Sequence, residues 1–155
     1  MNIPKENAIL RKEEKPIMTL TQMLKAMIYV VPILSGIVLV AWLIIRQQNK
    51  EKEALEAAMT QEQKDRLLQT RPSAAPAGMG GFVIEALVVE KTDKGAKYGV
   101  RLMWHNTVIP NNSLNKLMMT ILTVPKDKAD AANLQVGDYV RYWMDPEKQK
   151  WDILF

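Results

Sequence analysis

The side chains able to do chemistry are few in this chain. It holds one histidine, His105, and no cysteine, which removes thiolate nucleophiles, disulfides and Cys/His metal centres from consideration. A metal held by His105 would need carboxylates at ligand spacing, and the flanking sequence supplies none. Ser35, Ser73 and Ser113 lie in an apolar run, a Pro/Gly-rich stretch and a loop signal, with no base close in sequence. No nucleophile elbow, Walker loop, zincin or dinucleotide fingerprint occurs. Gly78-Met79-Gly80-Gly81 precedes a strand pattern, whereas a phosphate cradle leads into a helix. The expectation is a non-catalytic chain that uses no metal and no cofactor.

A second chemistry to weigh is stacking on nucleic-acid bases. Tyr98, Arg101, Trp104, Tyr139, Arg141, Tyr142 and Trp143 mix aromatic and basic residues, the types that single-strand binders combine in a groove. Arg101, Trp104, His105, Arg141 and Tyr142 are therefore the candidate binding surface. Against this, alternation along a strand sends several of them to opposite faces. Residues 82–155 carry ten basic and nine acidic groups, so the net charge of +4 is no basic stripe. A small barrel core built with Trp and Tyr is the preferred reading, and nucleic acid is a disfavoured partner.

The element that must position everything else is the apolar run at residues 26–45 (AMIYVVPILSGIVLVAWLII), which contains no charge. That is about the 20 residues a helix needs to cross a bilayer. Tyr29 and Trp42 lie near its ends and Lys25 and Arg46 bracket it, the residue types favoured at the membrane interface. The run is longer than a signal peptide's apolar region and lacks an A-x-A-like end, so an uncleaved single-pass anchor is expected. Pro32 removes one backbone donor and predicts a helix bend. No ionisable residue interrupts the span, which argues against an ion pathway. Basic residues are balanced on the two sides. The short tail with its free amine favours a cytoplasmic N-terminus and an extracytoplasmic C-terminal domain, in a bacterial inner membrane.

Around the anchor, residues 1–25 read as a mixed-charge tail, amphipathic near 17–25, with Thr19 as a helix N-cap. Residues 46–70 are Gln, Glu, Lys, Ala and Leu without Gly or Pro, and predict a helical stalk. Leu55, Met59, Leu67 and Leu68 leave a gap that a self-pairing coiled coil would not tolerate. Residues 71–81 (RPSAAPAGMGG) read as a flexible linker.

From Phe82 the pattern becomes that of strands, over 82–91, 98–105, 117–124, 139–144 and 150–155. A Pro-Asn-Asn loop follows the second, and a short helix over 125–133 separates the third and fourth. Three strands, a helix and two strands is the order of an OB-like five-stranded barrel, with an SH3-like domain as the near alternative. The fold class is thus one transmembrane helix plus a small all-β domain at 82–155.

Residues 86–92 (ALVVEKT), 100–104 (VRLMW), 136–140 (VGDYV) and 143–147 (WMDPE) resemble small bacterial membrane proteins of the DUF3592-like and NfeD-like kind. The resemblance implies one or a few spanning helices paired with a small β-barrel, and accessory roles at membranes. It supplies no catalytic residues. The expected function is a membrane-anchored interaction module, an accessory or assembly subunit whose partners are the bilayer and other membrane-complex proteins. The alternative is an OB-type nucleic-acid or polymer binder at the cytoplasmic membrane face.

Overall fold

A computed structural model describes residues 19–110 and 114–155. The tail expected over residues 1–18 and the Asn111-Asn112 pair of the expected loop lie outside them. Contacts divide the chain into two compact units, Met1–Gln47 and Gln48–Phe155.

The described part of the first unit is the bulk of helix α1, Leu20–Ala58, which has 39 residues. Thr19 caps it as its sequence position predicts. The Thr19 hydroxyl accepts from the Gln22 amide at 3.4 Å, and the Thr19 amide donates to Gln22 Oε1 at 3.1 Å, a reciprocal cap. No residue of α1 is buried, so no protein core accounts for side chains such as Ile28, Leu34 and Ile44, all more than half exposed. Its most apolar window reaches a mean hydropathy of 2.6. One helix is therefore long and apolar enough to cross a membrane. Lys25 and Tyr29 are exposed near its start, and the Arg46 guanidinium lies 5.1 Å from the Trp42 ring centroid. The helix runs through Pro32, whose carbonyl accepts from the Ser35 hydroxyl at 2.9 Å.

In the second unit, Met59 and Thr60 separate α1 from α2, Gln61–Gln69. Thr60 starts α2 with another reciprocal cap, accepting from the Gln63 amide at 3.2 Å and donating to Gln63 Oε1 at 2.9 Å. The helical stretch expected as one stalk over 46–70 is thus two helices, broken where a good N-cap outcompetes helix continuation. A two-residue strand β1, Ser73–Ala74, follows. Then come β2 (Phe82–Asp93), β3 (Lys97–Asn106), β4 (Lys116–Pro125), α3 (Lys126–Ala131), β5 (Tyr139–Asp145) and β6 (Lys150–Leu154).

The strands form one antiparallel sheet in the order β4-β3-β2-β5-β6, with β1 also paired to β2. The sheet curls into a half-barrel that stays open. Among the described residues no ladder joins β4 to β6, the two ends of the sheet. The OB-like barrel expected from strand order is thus present in part, as a half-barrel. Ala129 of α3 and Leu134 are buried with the inner face.

That inner face holds the main core, including Ile84, Ala86, Val88, Val100, Leu102, Trp104, Tyr142 and Ile153. The opposite, outer face is also apolar at Leu87, Met103 and Leu117, all buried. A strand buried on both faces reads as a continuous apolar run instead of an alternation, as residues 86–89 (ALVV) do. Between Val88 and Glu90 the β2–β3 register slips by one residue, a bulge that re-aims the following side chains. The loop before β5 docks here. The Gly137 amide donates to the Val88 carbonyl at 2.8 Å and the Val88 amide to the Asp138 carbonyl at 2.9 Å.

Residues 71–81, expected as a linker, are tied to the sheet. Ser73 and Ala74 pair with Val83 and Phe82, and Trp143 Nε1 donates to the Gly80 carbonyl at 2.8 Å. Gly81 makes the close approach feasible. Its φ is +79°, and a Cβ there would lie 2.0 Å from the Met144 carbonyl oxygen. Gly78 has a similar φ of +84° but open space around it. Gly78→Ala is expected to cost only the left-handed backbone penalty, about 1–2 kcal/mol. Gly81→Ala adds backbone overlap to that penalty and should lower the urea midpoint distinctly further. Equal midpoints for the two variants would count against this packing.

Candidate functional site

The sequence-predicted surface residues divide between the two faces of the sheet. Trp104 and Tyr142 lie on the inner face, 4% and 2% exposed. Their ring centroids are 5.7 Å apart and tilted by 56°, a favourable aromatic geometry. Thr120 on β4 joins them: its hydroxyl accepts from Trp104 Nε1 at 2.9 Å and also meets the Tyr142 hydroxyl. Burial pushes the Tyr142 hydroxyl above its ordinary value. These two aromatic rings are core, with no face free to stack on a base.

Arg101 occupies the outer face. Its Nη1 reaches Glu90 at 2.7 Å and its Nη2 reaches Glu51 of α1 at 2.9 Å. The bulge in β2 is what sets Glu90 opposite Arg101 in the register. His105 is 6% exposed, and its Nδ1 has no hydrogen-bond partner among the described residues. Arg141 is exposed and pairs in register with Glu85 and Leu154. The structure therefore brings Trp104 and Tyr142 together, and separates both from Arg101 and Arg141. Among the described residues no group of three His, Cys, Asp or Glu side chains is placed to hold a metal ion.

Sequence reasoning missed the outer-face assembly. Leu67 of α2, fully buried, and Met59, 7% exposed, pack with Leu87, Met103 and Leu117. Arg66 fixes the orientation of α2: its Nη2 and Nε contact the two Glu85 carboxylate oxygens at 2.6 and 3.0 Å. The guanidinium also stands 3.6 Å from the Tyr139 ring centroid. A bidentate fork with a stacked ring defines a geometry that a lysine would not reproduce. The hydrogen bond it donates to Glu85 raises the Arg66 pKa above its ordinary value. The signal available in the sequence was the eight-residue spacing of Met59 and Leu67, too sparse to register as an amphipathic stripe.

Besides Leu68, Met79, Val108, Leu114 and Val136, three large apolar side chains on or after the outermost strands stay exposed. Ile121 on β4, Trp151 on β6 and Phe155 are 48%, 52% and 57% exposed. A cleft of about 440 Å³ opens between Ile121 and Trp151, lined also by Trp104, Thr120 and Tyr142 among others. A second hollow of about 620 Å³ lies between α3 and the chain end, lined by Lys128, Asp152 and Phe155 among others.

Truncation of the α2 anchor measures how strongly the outer face depends on it. Leu67→Ala is expected to cost about 2–5 kcal/mol in equilibrium unfolding. Its neighbour Leu68 is 41% exposed, and Leu68→Ala should stay within about 0.5 kcal/mol of the parent. Comparable losses at the two positions would contradict the packing of α2 on the sheet.

Compared with known proteins, the chain matches no family, no curated protein and no solved structure.

Proposed function

We propose that the chain is a single-pass, membrane-anchored, non-catalytic interaction module, an accessory or assembly subunit of a larger membrane complex. The observation that carries this reading is the apolar, half-exposed pair of Ile121 and Trp151 at one cleft of a domain whose chain also holds an exposed, span-length helix. The helix accounts for membrane residence and the open side for partner contact. The OB-like connection order supports it as well, since OB folds are partly open barrels that bind ligands on their exposed strands. So does the resemblance of residues 82–155 to NfeD-like membrane proteins.

The nucleic-acid alternative gains nothing from the geometry. Both Arg101 nitrogens that would meet a phosphate are already paired with Glu90 and Glu51, and the Trp104 and Tyr142 rings are buried. The inner membrane as location, with the domain extracytoplasmic, belongs to the same proposal.

Purification of the full chain from membranes in mild detergent tests the function. A second membrane protein is expected to co-purify, and its yield is expected to fall when Trp151, which is half exposed, is changed to Asp. A chain that purifies without a second protein, or a partner indifferent to Trp151→Asp, would contradict the proposal.

A further inference from the structure

We propose that β4 is a self-pairing edge, through which two copies of this chain join their sheets around a two-fold axis at Thr120. This rests on reading the second unit as an interaction module, and it names one partner for it. The ten-residue β4 is bonded to β3 on one side, from Lys97↔Pro125 to Asn106↔Lys116. Its other side carries no ladder among the described residues. Residues 117–124 (LMMTILTV) contain no charge and no proline, two devices by which native edges avoid pairing; Lys116 and Pro125 stand only at the two ends of β4. The cleft of about 440 Å³ opens beside this edge at Thr120 and Ile121.

The residues discriminate between two adjacent registers. In a two-fold pairing of identical antiparallel strands, each residue i meets j and j meets i. The faces must also match, so the axis passes through a residue. An axis at Ile121 would set Lys116 opposite Lys126 of the second copy, and like charges directly opposite are destabilising. An axis at Thr120 sets Lys116 opposite Val124, Met118 opposite Leu122, and Met119 opposite the half-exposed Ile121. Thr120 then faces its own copy, a favourable cross-strand pair. No two charges of one sign meet along the edge. Anchoring in one bilayer raises the effective concentration of the second copy, so an interface of one strand pair is sufficient.

The absence of cysteine from the chain makes the test clean. Thr120→Cys is introduced into the full-length protein and mildly oxidised in native membranes. Directly facing strand residues bring their Cβ atoms to about 4.5–5.5 Å, near disulfide reach. A disulfide-linked dimer is expected at Thr120→Cys and not at Val136→Cys, on a loop residue that is 58% exposed. It is expected to be lost when Ile121→Lys is added. Co-expressed Ile121→Cys and Met119→Cys chains are expected to link to one another without altering Thr120, so the outcome does not depend on one variant folding. Absence of both links, equal linking at Val136→Cys, or linking that survives Ile121→Lys overturns the proposal. Linking of Thr120→Cys to a different protein also overturns it and assigns the edge to that partner. If the links fail while a second membrane protein still co-purifies, self-pairing falls and the functional reading stands.

Discussion

A sheet whose central strands are apolar on both faces cannot leave either face in water. In β2 and β3 the inner face buries Ala86, Val88, Leu102 and Trp104, and the outer face buries Leu87 and Met103. Full burial of one such side chain is worth about 1.5–3 kcal/mol relative to exposure, a large fraction of the net stability of a small domain. The inner face is satisfied by the curl of the sheet, with Ala129 and Leu134 packed into it. The outer face has no second sheet to pack on, so the chain covers it with Met59 and Leu67. The break between α1 and α2, the cap at Thr60 and the placement of Arg66 all serve that cover.

Polar contacts then decide orientation. The Arg66 fork on Glu85, stacked over Tyr139, aligns α2 across β2 and β5. Arg101, between Glu90 and Glu51, ties the last turns of α1 to the bulged end of β2. At the far end of the β2–β3 hairpin, Lys126 hydrogen-bonds Asp93 and holds that carboxyl below its usual range, helped by the Gly95 amide. Such partly exposed pairs add little net stability individually, and their effect is directional. The outer face is covered from within the chain at Leu87, Met103 and Leu117, while Ile121 and Trp151 stay half exposed.

Much of the second unit was legible in the sequence because β-branched runs and Gly/Pro turns are local signals. Every predicted strand after Phe82 is present with ends within two residues, and the short helix falls inside residues 125–133. The division of Arg101 from Trp104 followed from alternation alone. The bulge at Val88–Glu90 was not legible, since it depends on a loop 49 residues later docking its Gly137 amide on Val88. The docking of α2 was hidden for a related reason: two apolar residues in a polar helix acquire meaning only beside Leu87 and Met103. In the linker, glycine was read as freedom, whereas at Gly81 it permits contact closer than any side chain allows.

The central claim is that α2 is part of the folded domain and not a solvated stalk. Hydrogen exchange on the full-length protein in mild detergent measures this directly. The α2 amides past its first turn, residues 65–69, are expected to be protected to a degree approaching those of β2 and β3, because their opening requires exposure of Leu67 and the outer face. Exchange of these amides at the rate of an isolated nine-residue helix, which is scarcely stable in water, while the sheet stays protected, would contradict the account.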